Sequence, residues 1–224
     1  MAENVFSVTQ SQLGSVSVVV ELDREAFMVE RVAKSPIDGH PAMKMMSSGR
    51  PLENVRIRIL DDEGNDVPER VIGEVALKSD CMLTGYYNRD DINAFVDGWY
   101  LTGDYGFMAD GEVFVSGRKK DMIIVGGKNV YPQDLESLAS EVPGVHKGRT
   151  VAFGMYDEEE GTEEVVIIAE ADSASMSEME AIADAIRKHV TKSSAIALRH
   201  VKVVDDKWII KTSSGKTARS TNKE

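Results

Sequence analysis

Midway along the chain the hydrophobic rhythm changes, at the polar stretch Gly117–Arg118–Lys119–Lys120–Asp121. Upstream of it, apolar residues come in short alternating runs separated by glycine-bearing turns. Val55, Ile57 and Ile59 alternate with Arg56, Arg58 and Leu60, the period of a half-buried strand. Asp61–Asp62–Glu63–Gly64–Asn65 reads as a polar turn and Ile72 to Leu77 as a second strand, so this pair predicts a hairpin or a small barrel. Asp110–Gly111, set between Gly106–Met108 and Glu112–Ser116, is a strong hairpin signal because such a turn takes positive φ. Ser15 to Val20 is expected to form a strand, Asn88 to Ala94 a short helix. Arg31 to Arg50, with Pro36, Asp38–Gly39 and Pro41, reads as an irregular loop.

Downstream, strand and helix periods mix. Met122–Val125 reads as a strand, Gly126–Gly127 as a turn, and Pro132 to Val142 as a helix with proline suited to its first position. Val151–Phe153 and Val165–Ala169 read as strands. Met179, Ile182, Ile186 and Val190 fall at helical spacing and predict an amphipathic helix over Ser177 to Thr191. Leu198–Val204 is a last strand, and Lys207–Glu224 a polar tail. The predicted class is α+β, divided into residues 1–118, which include the small β-barrel, and 119–224, a compact α+β module.

Composition removes several functions. With 42% hydrophobic and 29% charged residues in 224, the chain can bury a sizeable core and is not wholesale disordered. Acidic residues outnumber basic ones 38 to 26, for a net charge of −12, which argues against general nucleic-acid binding and bulk attachment to anionic membranes. A single cysteine, Cys81, excludes an internal disulfide framework and any cysteine-cluster zinc site. His40, His146, His189 and His200 include no i, i+3 or i, i+4 pair, so an HExxH hydrolase is out. No apolar run is long enough for a membrane span, and Met1 to Gln12 lacks the pattern of a signal peptide. A cytoplasmic setting is the expectation.

Three glycine-bearing segments carry candidate chemistry. In Tyr100–Leu101–Thr102–Gly103–Asp104, a carboxylate after a Thr-Gly turn suits a vicinal diol such as ribose, although Asp at a turn is commonly turn chemistry alone. In Gly117–Arg118–Lys119–Lys120–Asp121, followed by Gly126–Gly127, glycines admit close backbone approach and Arg118 suits phosphate or ribose oxygens; an exposed basic turn is the plainer alternative. The third is Lys211–Thr212–Ser213–Ser214–Gly215–Lys216–Thr217. It fails as a phosphate-binding P-loop, because Ile210 stands where the first glycine belongs and only seven residues follow. What survives is a lysine on a small-residue loop, able to bring one point charge to a developing oxyanion.

Taken in order, YLTGD, GRKKDMIIVGGKNVYPQDLE and KTSSGK make a pattern that resembles the C-terminal portion of the acyl-adenylate-forming, AMP-binding enzymes, a superfamily that includes acyl-CoA synthetases and fatty acyl-AMP ligases. The start Met1–Ala2–Glu3–Asn4–Val5–Phe6 is similar to the tail of that family's aromatic-Gly-x-x-Glu motif. The resemblance implies the end of a large N-terminal domain with a small β-barrel subdomain, followed by a mobile C-terminal lid. It implies ATP-dependent activation of a fatty or other carboxylic acid to acyl-AMP, with Mg2+, and transfer to CoA or to the phosphopantetheine of an acyl carrier protein. Lys216 would act in adenylation, Asp104 and Arg118 would bind the nucleotide, and Glu3 would help hold the metal. Lys120 takes the hinge position, and Gly126 and Gly127 the loop meeting the thiol acceptor.

Two positions depart from the family wording. Ile210 replaces the usual proline before the KTxSGK segment, and Ile123–Ile124 replaces an Ile-Lys pair. No stretch matches the family's phosphate loop or most of its acyl pocket, so the chain alone is expected not to turn over. The alternatives are one half of a split ligase, completed by a missing N-terminal half, and a non-catalytic lid-type module that binds CoA or acyl carrier protein.

Overall fold

The computed structural model describes residues 3–89, 95–172 and 175–223. It divides into two compact units, residues 1–120 and 121–224.

Among the described residues, the regular structure of the first unit is almost wholly strand. β1 (Thr9–Gln10) pairs with β4 (Arg50–Pro51), and β2 (Val19–Asp23) pairs antiparallel with β3 (Ala42–Met46). The expected loop over Arg31–Arg50 thus contains a strand. Pro41 lies just outside it, and Met43 and Met45 sit opposite Leu22 and Val20 as alternate residues must. A single π-helical turn, Ala26–Glu30, buries Ala26, Phe27 and Met28. The main sheet contains β5 (Val55–Leu60), β6 (Gly73–Ser79), β7 (Phe95–Val96), β8 (Trp99–Ala109) and β9 (Glu112–Arg118), all antiparallel. The Asp110–Gly111 hairpin forms as expected, with Ala109 opposite Glu112.

Among the described residues this sheet does not close into the expected barrel. Its order is β5-β6-β8, and β7 and β9 both pair with β8 rather than extending the sheet round to β5. Too few strands remain in series for closure, which needs each outer strand to find the other. Phe107 and Phe114 stack across β8 and β9 with ring centroids 4.8 Å apart, and Phe27 meets Phe107 edge-on at 6.3 Å. All three are fully buried and anchor this unit's core. The helix expected over Asn88–Ala94 lies mostly outside the described residues.

The second unit opens with the hairpin of β10 (Ile123–Val125) and β11 (Lys128–Val130), followed by α1 (Pro132–Ser140) with proline at its start. β12 (Val145–Asp157) and β13 (Thr162–Ala171) pair antiparallel. β14 (His200–Val204) lies parallel to β13, joined by the crossover helix α2 (Met176–Ser194). Ser175 caps α2 by accepting the Glu178 N–H, and Ala195 ends it in the left-handed conformation. The expected apolar face is kept, with Ile186 and Val190 fully buried.

The stretch after β14 differs from the polar tail read in the sequence. Ile209 is 3% exposed and joins Val151, Phe153, Ile168 and Val204 in one cluster. A short helix, α3 (Arg219–Lys223), follows, with Asn222 buried on it. Among the described residues no helix is long and apolar enough to cross a membrane.

Candidate functional site

In the first unit, the segment Thr102–Gly103–Asp104 interrupts the β6–β8 ladder. Ala76 opposes Leu101 but Glu74 opposes Tyr105, so β8 carries the extra residues as a bulge. Three contacts fix its shape. The Thr102 hydroxyl donates to the Val75 carbonyl at 2.8 Å and accepts the Asp104 N–H at 3.0 Å. The Gly103 N–H donates to Glu74 Oε1 at 3.2 Å. The bulge directs the partly buried Asp104 towards β9, where Arg118 is its register partner and Arg118 Nε lies 3.2 Å from Asp104 Oδ1.

A charged lattice braces this bulge. Lys119 Nζ reaches Glu74 at 3.0 Å and Asp62 at 3.4 Å. The Tyr105 hydroxyl donates to Asp62 at 3.0 Å, and Arg31 pairs with Asp62 at 3.0 Å while lying over the Tyr105 ring. Burial alone would raise the Asp62 pKa, but the donors Arg31, Tyr105 and Lys119 together hold its carboxyl below the usual range. Sequence reasoning missed this lattice, since its members are spread from residue 31 to residue 119.

Glu3 belongs to the same unit. Residues 3–5 run beside residues 81–83, through hydrogen bonds between Leu83 N and Glu3 O and between Val5 N and Cys81 O. Glu3 Oε1 accepts the Tyr86 hydroxyl at 3.2 Å, and the Tyr86 and Tyr100 hydroxyls lie 3.0 Å apart. Burial first, then the Tyr86 hydrogen bond and the Glu3 charge, raise the Tyr100 pKa; Arg118 pulls it the other way. Glu3 and Arg118 therefore act on one hydroxyl, and Tyr100 shares β8 with Asp104. Of the expected site residues, the structure gathers Glu3, Asp104 and Arg118 in this region. Lys120 is exposed in the 3-10 turn Lys119–Asp121 at the end of the unit.

In the second unit, Gly126 and Gly127 form the two-residue turn of the β10–β11 hairpin with φ of 55° and 79°. A side chain would strain this turn, and both glycines are exposed with open space above them. The Gly126 N–H donates to Thr162 Oγ1 at 2.8 Å, and Ile124 N–H to Glu163 at 2.7 Å, fixing the turn to β13.

Lys216 sits on a closed loop. Lys211 bridges Thr217, Thr212 N–H donates to the Lys216 carbonyl at 2.8 Å, and Lys216 N–H returns to Thr212 Oγ1 at 3.2 Å. The Lys216 side chain is exposed, and among the described residues its ammonium has no ion-pair partner. The stems are held firmly. Asn222 accepts the Ile210 N–H at 2.8 Å and donates to the Ile210 carbonyl at 2.9 Å and to the Ala218 carbonyl at 2.7 Å. Arg219 grips Glu136 with two hydrogen bonds, at 3.0 and 2.7 Å, and reaches Asp121 at 3.0 Å. Burial would lower the Arg219 pKa, but these carboxylates raise it overall. Neither anchor was legible beforehand, because an arginine and an asparagine in a polar tail look solvated.

Residues 25–87 match the AMP-binding enzyme family. The chain's homologues are fatty acyl-AMP ligases and acyl-CoA synthetases. It is 28% identical to a long-chain-fatty-acid–AMP ligase of Mycobacterium marinum, over 98% of this chain and 41% of that protein. It is 30% identical to a 4-hydroxyphenylalkanoate adenylyltransferase of the same organism, over 99% of this chain and 38% of that one. A solved structure from work on fatty acyl-adenylate ligases of E. coli and L. pneumophila superposes with a TM-score of 0.87 at 29% identity, covering 99% of this chain and 40% of that one. The chain spans about two-fifths of the length of the curated relatives it matches.

Proposed function

We propose that this chain is the C-terminal part of an ATP-dependent acyl-activating ligase. It would form acyl-AMP from a fatty or other carboxylic acid and pass the acyl group to the thiol of CoA or of a carrier protein's phosphopantetheine. The observation that carries the reading is Lys216, exposed and without an ion-pair partner among the described residues, on a loop whose two stems are fixed by Asn222 and Arg219. Such a loop presents one cation at its tip without letting the base wander, which is what stabilising charge on an α-phosphate requires.

In this reading Asp104 accepts hydrogen bonds from the ribose hydroxyls, and Arg118 orients that carboxylate from the neighbouring strand. Glu3 fits a magnesium donor set: it offers a carboxylate of which one oxygen is held by Tyr86, and Mg2+ commonly takes one or two carboxylates together with phosphate oxygens. When bound, Mg2+ supplies neutralisation of phosphate charge. The boundary at residues 118–119 becomes the junction between large domain and lid, Lys120 the hinge, and the Gly126–Gly127 turn the edge of the thiol route, where bare backbone allows close approach.

The phosphate loop and most of the acyl pocket would come from the remaining length that the relatives possess, as an N-terminal portion in the same chain or a separate one. The test is a pyrophosphate-release assay with ATP and fatty acids on two proteins. One is this chain alone; the other is a chimera in which it replaces the aligned segment of the M. marinum long-chain-fatty-acid–AMP ligase. Turnover by the chimera and none by the chain alone is the expected pair. Turnover by the isolated chain, or a folded chimera that binds ATP yet makes no acyl-AMP, defeats the proposal.

A further inference from the structure

At one end of the β12-β13-β14 sheet, three side chains converge that the ligase reading leaves unused. The topology brings them there: β12 begins, β13 ends and β14 ends at the same edge, with Val145 opposite Ala171 and Glu170 opposite Val204. His146 stands at the start of β12, Glu170 near the end of β13, and Asp206 two residues beyond β14. Each places one donor atom within 4.8 Å of those of the other two.

Glu170 is fully buried, and a carboxylate removed from water needs its oxygens satisfied. Oε1 is: it accepts the Ile209 N–H at 2.6 Å and lies 3.6 Å from Arg149. Oε2 has no partner among the described residues. A buried carboxylate with one oxygen left open, within 4.8 Å of an imidazole and a second carboxylate, offers part of a coordination set. The imidazole is also already oriented. His146 Nε2 lies 2.8 Å from Asp172 Oδ2, while its Nδ1 faces Asp206 Oδ1 at 4.0 Å. A carboxylate behind one ring nitrogen, with the other turned to a donor cluster, is the usual outer-shell support of a metal-binding histidine. Among the described residues, three carboxylates here face two cations, Arg149 and the exposed Lys207, which pairs with Asp206 Oδ2 at 3.5 Å. The cluster keeps a net negative charge for a dication to meet.

We propose that His146, Glu170 and Asp206 form a structural site for a divalent transition-metal ion of the zinc class. One imidazole and two carboxylates suit zinc or cobalt, whereas magnesium prefers an all-oxygen octahedron. The site is separate from Glu3, which lies in the other unit, and it does not depend on the ligase reading. Its effect is mechanical. Asp206 precedes Ile209 by three residues, and Ile209 is already tied to Glu170, so an ion would staple the strand-to-loop junction on the Lys216 side to the sheet.

The test uses metal-free chain titrated calorimetrically with Zn2+ and, separately, with Co2+ under visible absorption, with Mg2+ as the control. One equivalent of Zn2+ should bind with a rise in melting temperature, since a ligand specific to the folded state stabilises it. Asp206→Asn, an exposed position that should not disturb folding, should weaken binding at least about tenfold, and Asp172→Asn about 10–100-fold. Absence of stoichiometric Zn2+ binding overturns the proposal, as does binding that neither Asp206→Asn nor His146→Ala changes. Equal affinity for Mg2+ would overturn the assignment of metal class.

Discussion

Asp104 and Lys216 are presented in opposite ways. The carboxylate rides a bulge in the middle of an eleven-residue strand, braced on both sides by hydrogen bonds to β6 and by the Glu74–Lys119–Asp62 lattice. The ammonium stands at the exposed tip of a loop whose fixed points, Asn222 and Arg219, lie below it. A group on a strand is held to one geometry by the whole sheet; a group on a stem-anchored loop keeps its base and retains rotamer freedom at its end. Under the proposed ligase reading, that contrast suits a nucleotide contact needed throughout a reaction and a charge needed for one step of it.

The contrast can be broken most directly at the tip. In the chimera, Lys216→Ala should lower acyl-AMP formation about 10²–10³-fold, the usual cost of one preorganised contact to developing charge, with the melting temperature unchanged. A loss below tenfold would deny the tip its assigned role. At the stem, Arg219→Ala should destabilise the second unit by about 2–3 kcal/mol, because it strips a largely buried Glu136 of its paired cation. Trp208 alone, in a Trp99→Phe background, reports that loss by fluorescence during urea unfolding, the two tryptophans lying one in each unit.

The sheet-borne region is sharpened by alkali. Tyr100 has its pKa raised above the ordinary 10.0 by burial, so the folded state holds that proton more tightly than the unfolded chain. Its contribution is complete below pH 10.0 and is lost as pH rises beyond it, at up to about 1.4 kcal/mol per pH unit. Unfolding followed through Trp99 in a Trp208→Phe background should show this decline, and Tyr100→Phe should make it shallower. An unchanged slope would remove Tyr100 from the network. The smallest effect belongs to Gly215→Ala: φ is 81° there and a methyl group meets open space, so only backbone strain of about 1 kcal/mol is added. Calorimetric melting of the wild type and the variant measures it.

Much of the fold was legible because alternation and helical spacing are local. Val55–Leu60, the Asp110–Gly111 hairpin, the Gly126–Gly127 turn and the apolar face of α2 all follow from neighbours within a few positions. The small barrel was misread for the converse reason. Whether β5 meets β9 depends on which edge of β8 the later strands choose, and no local pattern records that. Ala42–Met46 was hidden by flanking prolines and glycines, and the tail by its polar composition, although Ile209 and Asn222 are both buried. The candidate site residues were found as motifs, whereas Tyr86, Asp62, Arg219 and Asn222 had no signature beyond their own identity, and Tyr100, though inside a motif, gave no sign of its hydroxyl's partners.

By itself, then, the sequence determined the strands and helices with a clear period, several turns that need positive φ, and the motif residues, since torsional preference and hydrophobic period act over short range. Tertiary structure alone decided that the main sheet stays open among the described residues, that Glu3 and Arg118 bear on one tyrosine hydroxyl, that a buried asparagine and a partly buried arginine fix the Lys216 loop, and that His146, Glu170 and Asp206 meet. Those outcomes join residues tens of positions apart, and only the burial of a common core brings such groups within hydrogen-bonding or coordinating reach.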